Sequence, residues 1–332
     1  MGYGGWDDKV YTSTVGAKRA AGKSTFDYND STLKSTPRSS WKAHDDLDPK
    51  GVTVRESRDS DDNPMSTPIT VLFDVTGSMG GIPRVLQEKL PGLMSLLLRK
   101  GYVEQPQVMF GAIGDATCDR VPLQIGQWES DNAMDSVLGN LVLEGGGGGQ
   151  NTESYELAMY FMARHTDMDS LSKRGQKGYL FMIGDELAYP KVKRREVEAV
   201  IGDTLQEDIS TEDMVAELQK KFEVYFIIPS GGYNANDPQL ADYWKALFGQ
   251  NVLFLDDPAA VCETIALTIG LAEDAIDLEE GLDDLREIGL GDAAESTSRA
   301  LATVGGGGSV RKVKTDGALP KKGSAGSGAT RL

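Results

Sequence analysis

Oxygen-bearing side chains alternate along a short stretch that directly follows a strongly apolar run. After ITVLF (69–73) the chain continues DVTGSM, which places Asp74, Thr76 and Ser78 at every second position. One carboxylate and two hydroxyls at this spacing direct their oxygens toward a common point above the end of a strand. Mg²⁺ prefers an octahedron of oxygen ligands and usually keeps some of its waters. The spacing therefore predicts a hard-cation site, with Asp74 as a solvated carboxylate beside it.

Two further oxygen-rich stretches occupy positions that a parallel sheet would bring to the same place. Asp185 follows the apolar run GYLFMI, and Thr152 and Glu153 follow a run of five glycines at 145–149. In an open parallel sheet, ligands bind at the carboxyl ends of the strands, so we expect these side chains to meet at one edge. Each stretch alone is also consistent with a turn or a helix cap. Their order and their strand-end positions together favour a binding site.

The three stretches resemble the von Willebrand factor A family, whose metal-ion-dependent adhesion site has the pattern Asp-x-Ser-x-Ser, then a Thr, then an Asp. Asp74, Thr76 and Ser78 match the first element, with Thr76 in place of a serine. Asp185 matches the last element. The resemblance covers residues 67–272 and is most specific in FDVTGSM. It implies that Asp74 and Asp185 help to hold the ion, often through water. It also implies that Thr76 and Ser78 coordinate the ion through their hydroxyls, and that an acidic residue of a partner fills the open position.

The middle element departs from the family pattern. Many relatives have Gly-Gly-Thr, whereas this chain has GGGGGQNTES, which is similar to an intracellular, bacterial or phage-type branch with a GGGD-x-PE signature. Gln150, Thr152 and Glu153 would align with the Asp, Pro and Glu of that signature. Either Thr152 or Glu153 can therefore supply the third-loop oxygen, and we prefer Thr152. Asp115, at the end of FGAIGD, lies near this edge by the same resemblance, either as a carboxylate behind the ligands or as a turn former.

The resemblance implies a binding protein and not an enzyme. The implied cofactor is Mg²⁺, with Mn²⁺ or Ca²⁺ as alternatives, and the implied partner is a protein that offers an Asp or Glu ligand. Intracellular members often act as adaptors for AAA+ ATPases, so such an ATPase is one candidate partner. The chain itself contains no GxxxxGK[ST] phosphate-binding loop, and any nucleotide chemistry would come from the partner.

Two other interpretations remain open. LFDVTGS and MIGDE also resemble the haloacid-dehalogenase superfamily, in which Asp74 would be the nucleophile of a Mg²⁺-dependent phosphotransferase. The distal motif of that superfamily needs a second Asp four or five residues after the first, where this chain has Tyr189 and Pro190. The third interpretation is a structural interaction protein, for example a virion-associated one, without metal function.

Apolar runs separated by amphipathic segments define the elements that must position these residues. Five runs are typical of buried parallel strands, at 69–75, 107–115, 178–186, 223–230 and 251–257. A sixth run, 121–128, follows the second after a turn too short for a crossover helix, which predicts an antiparallel edge strand. The pattern predicts an α/β fold with a doubly wound, mostly parallel sheet, one antiparallel edge strand and helices on both faces. The Rossmann-like fold that the resemblance implies has the same architecture.

Composition divides the chain into four segments. Residues 1–66 form a polar, aromatic-containing N-terminal arm, which either wraps the domain or a partner or is disordered. Residues 67–272 form the von Willebrand factor A-type domain, and residues 273–304 form an acidic helical extension. Residues 305–332 form a flexible, basic Gly/Ser-rich tail.

Charge and hydropathy exclude several classes of protein. The formal net charge of −17 argues against nucleic-acid binding, which needs a basic surface. No run approaches the roughly 20 apolar residues that a membrane span requires. The sequence MGYGGWDDKVYTSTVG lacks the apolar core of a secretory signal, and Cys118 and Cys262 show no paired spacing. We therefore expect a cytoplasmic protein that binds neither nucleic acid nor membrane.

Overall fold

The secondary structure alternates between strands and helices along most of the chain. The structure, a computed structural model, describes residues 5–22, 26–146 and 148–302. The strands within these residues are β1 (Arg55–Ser57), β2 (Thr67–Asp74), β3 (Pro106–Ile113), β4 (Leu123–Ile125), β5 (Thr152–Glu153), β6 (Thr166–Met168), β7 (Gly178–Ile183), β8 (Leu187–Ala188), β9 (Lys191–Val192), β10 (Ile209–Ser210), β11 (Phe222–Pro229) and β12 (Val252–Leu255). The helices are α1 (Asp8–Ala20), α2 (Asp27–Ser35), α3 (Ile82–Arg99), α4 (Ala133–Gly139), α5 (Tyr155–Arg164), α6 (Asp169–Arg174), α7 (Arg194–Val200), α8 (Thr211–Leu218), α9 (Pro238–Phe248), α10 (Val261–Ala272), α11 (Leu278–Glu287) and α12 (Gly291–Leu301). Short 3₁₀ turns cover Arg38–Ser40, Gly77–Met79 and Pro258–Ala260.

Six strands pair into the main sheet in the order β12-β11-β7-β2-β3-β4. The first five strands of this order are parallel, and β4 runs antiparallel to β3 at one edge. The sequence prediction of an α/β fold with a mostly parallel sheet and one antiparallel edge strand is therefore confirmed. Three small two-stranded sheets, β1–β6, β5–β8 and β9–β10, were not predicted. Their strands have only two or three residues and, unlike β4, do not lie within a longer apolar run, so they show no hydrophobic period.

Helices cover both faces of the main sheet, which is why β2 is buried along almost its whole length. The side chains of Val71 and Phe73 enter one apolar cluster, and Leu72 enters another. Helices α3, α4, α10, α11 and α12 contribute to the first cluster, and α5, α7, α8 and α9 contribute to the second. Full burial of each such side chain contributes about 1.5–3 kcal/mol. Packing on both faces therefore holds the carboxyl end of β2 in a defined place.

The N-terminal arm lies against the domain and contains two helices, α1 and α2, that the sequence pattern did not predict. Phe26 and Leu47 are both 0% exposed. The backbone N–H of Ile125, in β4, donates to the carbonyl of Leu47 at 2.9 Å, and the Arg55 guanidinium donates to the carbonyl of Ile125, also at 2.9 Å. Strand β1 pairs in parallel with β6. The described part of the arm is thus packed onto the domain by both apolar and backbone contacts.

The predicted helical extension consists of α11 and α12. Leu285, Ala294 and Leu301 enter the same apolar cluster as Val71, so the extension belongs to the folded unit. The tail predicted for residues 305–332 lies outside the described residues. Among the helices that are described, none combines the length and the apolar character needed to cross a bilayer.

Candidate functional site

Acidic residues follow the carboxyl ends of three parallel strands at one edge of the main sheet. Strand β2 ends at Asp74 itself, whereas Asp115 and Asp185 each stand two residues after the last residue of β3 and β7. Because β3, β2 and β7 are adjacent and parallel, their carboxyl ends lie side by side. The structure thus brings together Asp74 and Asp185, which are 111 positions apart in the sequence.

Two hydrogen-bonded pairs of predicted ligands, Asp74–Thr76 and Ser78–Asp185, meet where the two hydroxyl oxygens lie side by side. The Thr76 hydroxyl donates to Asp74 Oδ1 at 2.6 Å and lies 3.2 Å from Ser78 Oγ. Ser78 Oγ donates in turn to Asp185 Oδ1 at 2.8 Å. The backbone N–H of Thr76 also donates to Asp74 Oδ1, at 2.8 Å, so the carboxylate closes the turn that carries the two hydroxyls.

Asp74 is fully buried, which corrects the expectation of a solvated carboxylate. The residue is 0% exposed, and the Tyr155 hydroxyl donates to its second oxygen, Oδ2, at 2.9 Å. Burial raises the pKa of Asp74 to about 7, against the opposing effect of the two bonds from Thr76. The negative charges of Asp185 and Glu186 raise this pKa further. Tyr155 was missed by the sequence analysis, because nothing in the sequence distinguishes it from other apolar-face residues of α5.

The glycine run packs against the turn after β2. The N–H of Gly77 donates to the carbonyl of Gly146 at 2.6 Å, and the N–H of Gly145 donates to the carbonyl of Val75 at 3.0 Å. A Cβ on Gly77 would lie 2.9 Å from the Gly146 carbonyl oxygen, closer than packed atoms tolerate. Because Gly77, Gly145 and Gly146 have no side chains, the two loops approach closely. The glycine run thereby supports the backbone between Thr76 and Ser78.

Glu153, and not Thr152, faces the cleft from the third loop. Both residues form β5, which pairs in parallel with β8. Glu153 is 2% exposed and lines the cleft, and no N–H or hydroxyl of the described residues donates to its Oε2. Thr152 is not among the described residues that line the cleft. The geometry therefore favours Glu153 over Thr152 as the source of the third-loop oxygen.

Glu186 is a second carboxylate at the cleft, and the sequence analysis did not select it. It is 7% exposed and pairs with the carboxyl of Glu153, and no N–H or hydroxyl in the described part of the chain donates to its Oε2. Burial raises the pKa of both Glu153 and Glu186. The charge of Asp74 raises the pKa of Glu153 further, whereas the hydrogen bond from the Glu153 carboxyl opposes the rise at Glu186. The acidic pair in IGDE was the available signal, but only its first member matches the family motif.

The cleft above these residues has a volume of about 660 Å³. Its described lining comes from four loops, with Thr76, Gly77, Ser78, Gly145, Gly146, Gly149, Gln150, Asn151, Glu153, Glu186, Tyr233 and Asn234. Asp74 and Asp185 do not line it. These two carboxylates lie behind the hydroxyls of Thr76 and Ser78, which line the cleft and donate hydrogen bonds to them.

The loop after β11 completes the cleft and was not predicted to take part. The N–H of Asn234 donates to Asp185 Oδ2 at 3.0 Å, and the N–H of Tyr233 donates to the carbonyl of Ser78 at 3.3 Å. A Cβ on Gly232 would lie 2.7 Å from Asp185 Oδ2. Glycine therefore permits this loop to approach the carboxylate so closely.

Asp115 lies at the same edge, but hydrogen bonds from neighbouring residues occupy both of its oxygens. The residue is 0% exposed. The N–H and the hydroxyl of Thr117 each donate to it at 2.8 Å, and the Tyr189 hydroxyl donates to Oδ2 at 3.1 Å. The Gln150 amide donates to the same oxygen. These contacts accord with the turn-forming role and tie the loop that contains Gln150 to the end of β3.

The oxygen donors of the site suit a hard divalent cation. Two adjacent ligands of octahedral Mg²⁺ lie about 3 Å apart, and the hydroxyl oxygens of Thr76 and Ser78 are 3.2 Å apart. Glu153 and Glu186 lie at the same cleft, and a bound cation would favour the ionised form of both carboxyl groups. Across the described residues, however, no three His, Cys, Asp or Glu side chains are grouped around one metal position. An ion here would depend on hydroxyl as well as carboxylate oxygens.

No family model matches the chain, and neither does any curated protein. Solved structures with a partial likeness include the pilus adhesin SpaC from Lactobacillus rhamnosus GG, in its open conformation, at 9% identity and a TM-score of 0.42. That match covers 65% of this chain and 31% of the adhesin. Proximal thread matrix protein 1 from the mussel byssus matches at 11% identity and a TM-score of 0.42, over 63% of this chain and 48% of that one. This chain thus spans less than half the length of either protein, and the scores are too low to assign a family.

Proposed function

We propose that the chain is a von Willebrand factor A-type protein-binding module that engages an acidic residue of its partner through a bound Mg²⁺ ion. In this proposal the main sheet is the doubly wound sheet of that family. The observation that carries the proposal is the pair of hydrogen bonds Thr76–Asp74 and Ser78–Asp185, whose hydroxyl oxygens lie 3.2 Å apart. This arrangement gathers, in the lining of one cleft and directly behind it, the residues that match the two most specific parts of the family motif.

Asp74, Thr76, Ser78 and Asp185 each have a role in this proposal. The hydroxyls of Thr76 and Ser78 would bind the ion directly, because they line the cleft. Asp74 and Asp185 would hold it from behind these hydroxyls or through water, and Glu153 would supply the third-loop oxygen. Mn²⁺ or Ca²⁺ could replace Mg²⁺, since all three are bound by oxygen ligands. When bound, the ion supplies a Lewis acid with a position open to a carboxylate.

Binding is a better fit to the site than phosphoryl transfer. A nucleophilic Asp74 would need a free oxygen facing the substrate, but Thr76 and Tyr155 occupy both of its oxygens. The described lining of the cleft includes no lysine or arginine to clamp a phosphoryl group. We therefore propose that the protein is not an enzyme. Its proposed setting is the cytoplasm, and an AAA+ ATPase remains a candidate for the partner.

Titration calorimetry with MgCl₂ tests the proposal directly. The Asp74→Asn variant keeps the shape of the side chain and an acceptor for Thr76, so we expect the fold to persist and the affinity for Mg²⁺ to fall by about a hundredfold or more. Asp292→Asn, an exposed residue in the first turn of α12, is the matched control and should bind like the wild type. Equal affinities in all three proteins would rule out this site.

A further inference from the structure

Two neighbouring carboxyl groups, those of Glu153 and Glu186, face the cleft and are hydrogen bonded to each other. Each also has a buried oxygen to which no N–H or hydroxyl of the described residues donates. None of the described lining residues is basic. A buried carboxylate is unfavourable unless a cation or a hydrogen-bond donor pairs with it. Of the two, Glu186 is the one that the proposed ligand set leaves unused.

Tyr233 presents an aromatic ring at the rim of the same cleft. The residue is 87% exposed, although its N–H is bound to the carbonyl of Ser78. The next residue, Asn234, donates its backbone N–H to Asp185 Oδ2 at 3.0 Å and its amide to Glu186 Oε1 at 3.4 Å. Three hydrogen bonds, to Ser78, Asp185 and Glu186, therefore hold the loop that carries this ring against the site.

We propose that the partner segment carries a basic side chain close to its acidic residue, and that this basic group binds between Glu186 and the ring of Tyr233. The inference rests on the proposed function, because it places the acidic residue on the ion. A guanidinium is the group that fits best, since it can bond to a carboxylate through two N–H groups and stack on an aromatic ring. An ammonium group is the second choice.

A basic group beside the partner's acidic residue would reduce the electrostatic repulsion that this residue meets in the cleft. A partner carboxylate that enters the cleft approaches Glu153 and Glu186 as well as the ion, and like charges at short range repel. A basic group on the partner pairs with Glu186 and removes part of that repulsion. The cleft would then select an acid–base pair of side chains and discriminate against a purely acidic segment.

The test uses fluorescein-labelled ten-residue peptides, each with one Asp in a Gly/Ser background, measured by fluorescence anisotropy with the full chain in excess Mg²⁺. Arg, Ala or Glu is placed at each of the three positions on either side of the Asp. We expect the best Arg peptide to bind about tenfold more tightly than its Ala counterpart, and the Glu peptide to bind most weakly. Glu186→Gln and Tyr233→Ala should each reduce this Arg preference to about threefold or less.

Controls separate this inference from the proposed function. Glu207→Gln, an exposed residue away from the cleft lining, should keep the full Arg preference, and Tyr233→Ala should bind Mg²⁺ like the wild type. Arg peptides that bind no better than Ala peptides overturn the inference, and so does a preference that survives both variants. If Asp peptides then still require Mg²⁺, the proposed function stands. Peptide binding that persists in EDTA contradicts the proposed function itself.

Discussion

The burial of Asp74 makes the ion-free site a source of instability. A carboxylate held away from water beside other carboxylates favours its protonated form, and a divalent cation would remove that penalty. Binding and stability are therefore coupled at this residue: whatever neutralises Asp74 stabilises the fold.

This coupling predicts a pH dependence of the stability in EDTA. The pKa of Asp74 is raised from 3.8 to about 7, so below pH 4 the carboxyl is protonated in both folded and unfolded chains. As the pH rises from 4 to 7, the unfolded chain ionises first, and the wild type should lose roughly 4 kcal/mol of unfolding free energy through this group. The free energy of unfolding is measured with urea between pH 4 and 8. The Asp74→Asn variant should not show this loss, and it should be more stable than the wild type at pH 8. Parallel curves for the two proteins would contradict the assignment of the loss to Asp74.

Two neighbouring residues of the third loop, Thr152 and Glu153, each carry an oxygen that would suit the ion. Glu153 faces the cleft with an oxygen to which no N–H or hydroxyl of the described residues donates, whereas Thr152 does not line the cleft. We therefore expect Glu153→Gln to weaken Mg²⁺ binding by about tenfold or more, and Thr152→Val to change it by less than about threefold. Calorimetry on both variants decides between them, and the reverse order would restore Thr152 as the ligand.

Among the elements, the turn after β2 depends on the glycine run for its position. Gly77→Ala would push a methyl group to 2.9 Å from the carbonyl of Gly146, so one of the two loops must move. We expect this variant to lose about 1–3 kcal/mol of stability and to bind Mg²⁺ about tenfold more weakly, as measured by urea unfolding and calorimetry. Gly81→Ala is the control, because a Cβ there meets nothing within 4 Å. Similar effects in both variants would mean that the contact with Gly146 is unimportant.

The five parallel strands of the main sheet could be predicted from the sequence because each lies in a run of apolar residues, and β4 could be predicted because its run follows β3 after a short turn. The same run marks where a strand ends, which is how Asp74 and Asp185 could be placed at one edge. The position of Tyr233 at the cleft could not be predicted, because it depends on which loops meet in space, and the acidic pair of IGDE was the one signal for Glu186. The burial of Asp74 was mispredicted for a related reason, since one residue that covers its carboxylate, Tyr155, lies 81 positions further along the chain.

At the scale of the whole molecule, the two chain ends should differ in their importance for folding. Residues 1–66 supply Phe26 and Leu47, which are fully buried, so their deletion should lower the melting temperature by about 10 °C or more, or prevent folding. Deletion of residues 305–332 should leave the melting temperature within about 1 °C of the full chain, because that segment has few apolar residues. Differential scanning calorimetry of both truncated proteins checks this contrast. An arm deletion that melts like the full chain would show that the arm is dispensable.

The contacts between the arm and β4 also bear on how copies of the protein behave toward each other. Strand β4 is the last strand of the main sheet, and Leu47 and Arg55 occupy the outward N–H and carbonyl of Ile125. An edge strand with free backbone groups is a template for strand addition by another molecule. The arm therefore acts as a cap on that edge, and its loss would leave the edge open to association with a strand of another copy and to aggregation.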